Sequence, residues 1–160
     1  MNALPSDTRQ RLLDAAVQVF RRQGYCATTV DDLCAQAQVT KGGFFHHFKG
    51  KEAFALAAID HWNQTTGALF AHAPYQSITD PRERLFAYLD FRAGLLDRDV
   101  SEFTCLLGTL AQETFHSHPD IGRACGEGIG GHARTIAGIL AQAKARYAPQ
   151  APWDPDSLAW

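Results

Sequence analysis

The chain has 160 residues, of which 46% are apolar and 20% are charged, and its formal net charge is -2. These proportions are typical of a folded globular protein and exclude a disordered, collagen-like or acidic solvating chain. No apolar run reaches the roughly 18 residues that cross a bilayer, and the first residues do not form a signal peptide. The sequence therefore predicts one or two compact units that stay in the cytoplasm.

The small net charge conceals an uneven distribution along the chain. Residues 1–51 carry seven basic and four acidic side chains, a balance of +3, whereas the remainder carries eight basic and thirteen acidic ones, a balance of -5. Such a division is typical of a protein that meets a polyanion with one part only. The N-terminal third is therefore the part expected to contact a polyanion.

Cysteine and histidine spacing gives no sign of a metal site or of a disulfide framework. The chain has four cysteines: Cys26, Cys34, Cys105 and Cys125. None forms a Cys-x-x-Cys pair, and a chain of this length builds a core without disulfides, so we expect reduced thiols. His46 with His47, and His116 with His118, lack the carboxylate or cysteine company that completes a tetrahedral site. We predict no metal and no other cofactor.

Apolar residues recur at helical spacing along almost the whole chain, and strand patterns are nearly absent, so the predicted class is all-α. A first helix is capped by Ser6 or Asp7 and ends at Gly24. Thr29 caps a second helix, and after a short turn Thr40 caps a third. Two short helices across a tight turn predict a helix-turn-helix.

The rest of the chain is also expected to be helical. Five further helical segments are bounded by prolines, caps or breaks: 51–72, 81–96, 101–115, 119–147 and the beginning of one at 153–160. The segment 119–147 has five glycines within ten residues, each of which costs up to about 1 kcal/mol relative to Ala in a helix interior. We therefore expect this stretch either to kink or to pack very close to something else.

The third helix has the composition of a recognition helix. The major groove of DNA admits a helix whose N-terminal end is small or polar and whose back is apolar. Thr40, Lys41, Gly42 and Gly43 begin this helix, and phenylalanines follow. Lys41 can donate to guanine acceptors or to phosphate, and the glycines let the backbone approach the groove. Four side chains nearby are expected to reach phosphates: Thr28, Thr29, His46 and Lys51.

The segment between Arg11 and Phe54 resembles the N-terminal domain of the TetR family of bacterial transcriptional regulators. The similar positions include Phe20, Gly24-Tyr25, Thr28-Thr29-Val30, Ala37, Val39-Thr40-Lys41-Gly42, Phe48 and Lys51-Glu52. The resemblance implies a repressor, homodimeric in its full-length form, that binds operator sites in double-stranded DNA and is released by a small-molecule effector. It implies base contacts from Lys41, Gly42 and Gly43. It also implies phosphate contacts from Thr29, Thr40, Phe45, His46 and Lys51.

Two departures from the family pattern accompany this resemblance. Phe45 stands where the family commonly has tyrosine, so a hydroxyl contact with phosphate is lost there. The family's chains usually continue for two further helices that make the dimer interface. We accordingly predict a helix-turn-helix DNA-binding domain at 1–50 and a helical effector-binding and dimerisation domain at 51–160 whose last helices are absent.

Apolar and polar side chains of the C-terminal part are candidates for an effector pocket, because pockets between helices are mostly apolar with a few polar groups. The predicted pocket residues are Trp62, Phe86, Phe103, Cys105, Gln112, His116 and His132. The aromatic members equally fit an ordinary core.

Cys105 supports an alternative function. The segment 103–113 resembles a region that some TetR-family members use to sense electrophiles or oxidants through a cysteine. A thiol-based redox or electrophile-sensing repressor acting through Cys105 is therefore the alternative, although a cysteine on an apolar helix is most often a small buried hydrophobe. The other three cysteines are expected to be packing residues.

Enzymatic chemistry is not indicated. The chain has no G-x-S-x-G, phosphate-binding loop or H-E-x-x-H, and no pair of inward carboxylates is expected. We predict that the protein is not an enzyme. A DNA-binding protein whose C-terminal part recruits a protein partner remains a third interpretation.

Overall fold

The computed structural model describes residues 5–97 and 99–160, and within these ranges every regular element is helical. The α-helices are α1 Pro5–Gln23, α2 Val30–Ala37, α3 Lys41–His47, α4 Lys51–Ala71, α5 Pro81–Gly94, α6 Val100–Phe103, α7 Leu106–Thr114, α8 Pro119–Tyr147 and α9 Pro155–Leu158. A 3-10 helix, Pro74–Ser77, joins α4 to α5. The predicted all-α class is confirmed. The predicted caps Ser6 and Asp7 have side chains outside the described part.

The end of α1 and the beginnings of α2 and α3 lie where local chemistry predicts. Gly24 has a φ of +80°, in the left-handed region that ends α1. Thr29 forms a capping box with Asp32 at the start of α2, and the Thr40 hydroxyl accepts a hydrogen bond of 3.1 Å from the Gly43 amide at the start of α3. The turn between α2 and α3 contains Gln38, whose φ is +54°.

The helix-turn-helix is held against α1 by a buried aromatic cluster. Phe54 in α4 is fully buried, and its ring centroid lies 6.2 Å from that of Phe20, 5.1 Å from that of Phe44 and 4.7 Å from that of Phe48. The back of α3 is therefore anchored in the core, since two of these rings belong to α3 and its C-cap.

The main core crosses the boundary predicted at Lys51. Buried side chains of α7 and α8 join the same cluster as those of α1 to α4: Leu106, Leu107, Leu110, Ile121 and Cys125. A second, smaller core packs the 3-10 helix and α5 against the C-terminal half of α8, around Tyr75, Tyr88 and Leu140. The first three helices thus share one apolar core with part of the C-terminal body.

The segment predicted as one helix at 101–115 is two helices, and the prediction is wrong on this point. Cys105 has φ -78° and ψ 119°, which is extended backbone, and it separates α6 from α7. The Thr104 carbonyl accepts a hydrogen bond of 2.8 Å from Nε of Arg21 in α1. In an unbroken helix that carbonyl would instead accept from an amide four residues on.

The glycine-rich stretch of α8 packs closely and does not interrupt the helix. A Cβ atom on Gly128 would lie 2.7 Å from Oδ1 of Asn63 in α4 and 2.7 Å from Cδ1 of Leu107 in α7. Of the two expected alternatives, close packing is therefore the one observed. Among the described helices, none has the length and apolar character needed to cross a membrane.

Candidate nucleic-acid interface

The N-terminal end of α3 is presented to solvent while its back is buried. Thr40, Lys41 and Gly42 are exposed, whereas Phe44 is fully buried and Phe48 is nearly so. A helix that shows its first turn and hides its apolar side has the geometry needed for entry into a major groove. This end of α3, with the caps and loops around it, is the candidate interface.

Lys41 forms an ion pair between the two helices of the helix-turn-helix. Its Nζ lies 2.9 Å from Oδ1 of Asp31 in α2, and both side chains are mostly exposed. The hydrogen bond that Lys41 donates to Asp31, and the charge of that carboxylate, raise the pKa of Lys41 above its usual value. Lys41 is thus a cation at the head of α3, held by a carboxylate of the preceding helix. Asp31 was missed by sequence reasoning, because no local spacing rule links residues on separate helices.

The two glycines of α3 have different surroundings. A Cβ atom on Gly43 would lie 2.8 Å from Cγ1 of Val39, so a side chain here would force Val39 or the tight turn between α2 and α3 to shift. A Cβ atom on Gly42 would meet Thr40 at an ordinary 3.9 Å. Gly42 is therefore the position where the backbone is left open to an approaching surface, while Gly43 has a packing role.

The three threonines differ in what they can offer to DNA. Thr28 is 1% exposed and its hydroxyl donates to the Gly24 carbonyl, so in this structure that hydroxyl is not presented to a phosphate. Thr29 is exposed, but its hydroxyl already donates to the Asp32 carboxylate at 2.7 Å. The Thr40 hydroxyl accepts from Gly43 and keeps its own proton for a phosphate oxygen.

Lys51 makes hydrogen bonds inside the protein that its position in the sequence did not predict. Its Nζ donates to the carbonyls of Tyr25 and Thr28, at 3.0 and 2.9 Å, and lies 4.3 Å from the centroid of the Tyr25 ring. Two of its three protons are thereby used inside the protein. Lys51 holds the turn between α1 and α2, and one proton is left for a phosphate.

Phe45 and His46 lie on the exposed side of α3. Phe45 is 55% exposed, and its ring meets Phe44 edge-on with centroids 5.2 Å apart. His46 is exposed and packs edge-on against His47 at 4.9 Å. Both side chains are accessible to a ligand that covers α3.

Besides the shared core, specific contacts tie the segment 104–118 to α1 and to the turn after it. The Glu113 carboxylate accepts from the Cys26 amide at 2.7 Å, Arg21 donates to the Thr104 carbonyl, and the Tyr25 and His118 rings meet edge-on with centroids 4.9 Å apart. All three involve α1 or the turn that follows it. A change in α7 or in the start of α8 would therefore act directly on this turn.

The predicted effector-pocket residues are dispersed. Phe86, Phe103, Cys105, Gln112 and His116 are exposed, whereas Trp62 and His132 are partly buried. Trp62 lies beneath the Arg21 guanidinium, at 5.0 Å, and lines an open groove whose described lining contains none of the other six residues. The seven residues therefore do not form one enclosed pocket in this structure.

Helical geometry explains the exposure of Phe86. Tyr88, two positions further on, is a residue of α5 that packs against α8. Residues two positions apart on a helix point in nearly opposite directions, about 160° apart. The Tyr88 hydroxyl is hydrogen-bonded to Nε2 of His132 at 2.9 Å, and the His132 ring packs at a tilt against Phe70 with centroids 4.7 Å apart. The space between α4, α5 and α8 is thus filled by aromatic side chains.

The cysteines divide into two buried and two exposed thiols. Cys34 and Cys125 are packing residues, as predicted, and burial raises the pKa of the Cys125 thiol to about 11. Cys26 is exposed, so the same expectation is wrong for it. In the part of the chain that the structure describes, no group of three or more histidine, cysteine, aspartate or glutamate side chains is placed to hold a metal ion.

Short paired helices, an exposed cationic head on the second helix and an aromatic anchor behind it define a helix-turn-helix protein of the DNA-binding class. A family model described as bacterial regulatory proteins, tetR family, matches residues 12–58. The transcriptional regulator AcuR of Cereibacter sphaeroides is 30% identical over 151 residues, covering 94% of this chain and 68% of AcuR. The chain therefore belongs to the TetR family of bacterial regulatory proteins, whose members are DNA-binding transcriptional regulators.

Two further comparisons agree. The HTH-type transcriptional repressor NemR of Escherichia coli K12 is 26% identical over 137 residues, covering 86% of this chain and 67% of NemR. The crystal structure of the regulatory protein TetR from Rhodobacter sphaeroides matches with a TM-score of 0.81 at 28% identity, over 94% of this chain and 79% of that one. The chain spans about two thirds of the length of AcuR and of NemR.

Proposed function

We propose that this chain represses transcription by binding operator DNA through α3, and that a small-molecule effector releases it. The observation that carries the DNA-binding role is the exposed head of α3, with Lys41 free of the core and the aromatic back of the helix buried. Lys41 and Gly42 form the base-reading end in this proposal, and Gly43 lets the turn behind them pack closely. Thr40, His46 and one proton of Lys51 contact phosphates, while any contact from Phe45 is apolar. A regulator of chromosomal DNA acts in the cytoplasm, which is the compartment we propose.

The DNA-binding role is tested by selecting duplexes from a random library with the full chain and measuring affinity for the selected sequence by fluorescence anisotropy. Lys41→Ala should lower that affinity by about 1 to 3 kcal/mol if the lysine reads a base. Arg82→Ala removes a mostly exposed cation from α5 and serves as the control, with unchanged affinity expected. Failure of the wild-type chain to enrich any sequence, together with binding that does not respond to salt, contradicts the proposal.

The proposed effector acts by a population shift. A ligand weakens operator binding only if it binds better to the state whose recognition helices are wrongly placed. The contacts from Glu113 and Arg21 support such coupling, because they tie the segment 104–113 to the turn after α1 and to α1 itself. Native mass spectrometry of the protein after incubation with cell extract tests for a bound small molecule, and addition of that molecule to the operator complex tests for release.

We also propose that the full-length form acts as a homodimer, because a palindromic operator must be met by two recognition helices at once. A single half-site contact loses the effective-concentration gain of about 10² or more that a second contact provides. Sedimentation equilibrium of the protein with the selected duplex measures how many chains bind each operator. Two chains per duplex are the expected result, and one chain per duplex contradicts the proposal.

Cys105 favours a second candidate, a thiol-based redox or electrophile sensor. Its thiol is exposed at the break between α6 and α7, directly after Thr104, whose carbonyl holds Arg21 of α1. A modification at Cys105 would add bulk beside this contact between the body and α1.

A further inference from the structure

The position of Lys41 is electrostatically unusual for a helix. It is the first residue of α3, and the first turn of α3 contains no acidic residue. The helix macrodipole disfavours a cation at an N-terminus and favours a carboxylate there. The compensating negative charge comes from another helix, since Asp31 Oδ1 lies 2.9 Å from Lys41 Nζ.

Two adjacent aspartates of α2 have separate tasks. Asp32 accepts from the Thr29 amide at 2.8 Å and from the Thr29 hydroxyl at 2.7 Å, so its carboxylate belongs to the helix cap. Asp31 is exposed, and among the described residues Lys41 is the partner of its carboxylate. Its negative charge therefore lies on the face where the polyanion is proposed to bind, next to the cation proposed to read bases.

We propose that Asp31 is a specificity-determining residue of the DNA interface: it holds the Lys41 ammonium at the head of α3 and opposes its use on phosphates. The inference rests on the proposed DNA-binding function. Every DNA sequence offers phosphates, and a carboxylate on the binding surface repels them and competes with them for Lys41. Guanine O6 and N7 are offered at the correct place only by the operator.

Lys41 can serve Asp31 and a base at the same time. A lysine ammonium has three donor protons, so one can remain on the carboxylate while others reach acceptors on a guanine edge. In the operator complex the pair is therefore kept. On unrelated DNA the Asp31 carboxylate still lies close to phosphates and repels them, but Lys41 makes no base contact that would offset this repulsion. Asp31 thus weakens binding to unrelated sequences more than binding to the operator, and it raises the ratio of the two affinities.

The expected effect is a few-fold change. The Lys41 side chain is 62% exposed and the Asp31 side chain 66%, and exposed ion pairs are weak and screened by salt. Asp31→Asn keeps the shape of the side chain and removes its charge. The variant should bind a scrambled duplex about two- to fivefold more tightly at low salt. It should change affinity for the selected operator duplex by less than about twofold.

The experiment measures both affinities with the full chain by fluorescence anisotropy over a series of salt concentrations. For the scrambled duplex, the salt dependence of Asp31→Asn should steepen by about one released ion, because the freed Lys41 gains a phosphate. Asp60→Asn is the matched control: it removes the same charge from an exposed position on α4 and should change neither affinity. Circular dichroism confirms that each variant is folded.

A double-mutant cycle shows whether Asp31 acts through Lys41. In a Lys41→Ala background, Asp31→Asn should no longer alter the ratio of operator to scrambled affinity, because the residue that it positions is gone. An equal gain on both duplexes, or a change of ratio that persists without Lys41, would overturn the inference and leave a general charge effect. Absence of binding by the wild-type chain to any duplex contradicts the proposed function itself, and the inference with it.

Discussion

The Glu113 carboxylate in α7 fills the space that a side chain on Gly24 would occupy. Its Oε2 accepts a hydrogen bond of 2.7 Å from the Cys26 amide, and its Oε1 overlaps the position of a Cβ atom on Gly24. Gly24 is thus needed twice, once for its φ of +80° and once for this close approach. The end of α1 and the C-terminal body pack this closely because Gly24 has no side chain.

Gly24→Ala should therefore destabilise the protein strongly. The left-handed backbone alone costs a residue with a Cβ atom about 1 to 2 kcal/mol, and displacement of Glu113 adds to this. Urea unfolding followed by circular dichroism measures the loss. Gly67→Ala is the control, because nothing lies within 4 Å of its Cβ position and it should gain about 0.5 to 1 kcal/mol inside α4. If Gly24→Ala is as well tolerated as the control, the turn does not have the geometry described.

The overlap can be separated from the backbone effect by a second substitution. Glu113→Ala in the Gly24→Ala background removes the colliding carboxylate and should leave only the cost of the left-handed conformation. The two substitutions are then non-additive, with the double variant more stable than their separate effects predict. Additive losses would show that Glu113 moves away from Gly24 without cost.

Lys51→Ala should lower the stability of the protein, and not only its affinity for DNA. The ammonium donates to two carbonyls of the turn after α1, and hydrogen bonds to charged groups contribute about 1.5 to 3 kcal/mol when buried. Because Lys51 is only partly buried, we expect a loss of about 1 to 2 kcal/mol in the free energy of unfolding. Lys49→Ala, at an exposed position two residues earlier, is the matched control. Equal stability of the two variants would argue for a purely DNA-directed role of Lys51.

The helix ends near α3 were predictable because they depend on residues close in sequence. Thr29 and Thr40 each satisfy amides within three residues, and Gly24 needs only its own backbone freedom. The chemistry of these positions is therefore visible in a local pattern. The same holds for Lys41 at the head of the recognition helix, since its place follows from the cap before it.

Other features depend on partners far away in the chain. The break at Cys105 accompanies a hydrogen bond from Arg21, which lies 83 residues before the carbonyl that it reaches. Phe86 and Leu89 are apolar residues of α5, but both are more than half exposed. They are exposed because α5 packs against the rest of the protein through a different side. Tertiary packing decides which face of a helix contacts the rest of the protein, and the periodicity of a single helix does not reveal it. The predicted pocket was dispersed for this reason.

Gly128→Ala tests the close packing of α8. The added Cβ atom would lie 2.7 Å from side-chain atoms of Asn63 and Leu107, so these side chains or α8 itself must shift. Overpacking of this kind costs about 1 to 3 kcal/mol. Gly138→Ala, in the same helix with nothing within 4 Å of its Cβ position, should instead stabilise the protein by up to about 1 kcal/mol. Thermal unfolding of the two variants gives opposite signs if the packing is as described.

His132 should make stability depend on pH in a defined direction. Burial, and secondarily the charge of Arg92, lowers the pKa of His132 below its usual 6.5. Below about pH 6.5 His132 is protonated in the unfolded chain but stays neutral in the folded one. The free energy of unfolding is therefore highest above about pH 6.5 and decreases as the pH falls towards the pKa of the folded state. A protonated His132 can only donate in its hydrogen bond with the Tyr88 hydroxyl.

The measurement compares urea midpoints at about pH 7.5 and about pH 5.5. His132→Gln should be less stable than the wild type at the higher pH, because the Tyr88 contact is disturbed, and should lose less on acidification. His116→Gln changes an exposed histidine and should keep the acid sensitivity of the wild type. An unchanged acid response in His132→Gln would place the titrating group elsewhere.

Cys105 should be the thiol through which modification reaches the DNA-binding helices. Cys26 and Cys105 are exposed, so both should react with a maleimide in the folded protein, while Cys34 and Cys125 should react only after unfolding. Alkylation at Cys105 adds bulk next to the Thr104 carbonyl that holds Arg21. If this contact transmits the change, operator affinity should fall by a factor within the range of about 5 to 150 that is typical of allosteric coupling. Cys105→Ser should keep operator affinity after the same treatment, whereas Cys26→Ser should still lose it. Loss of affinity in Cys105→Ser but not in Cys26→Ser would assign the effect to the turn after α1, and no loss in any variant would leave release to a non-covalent ligand.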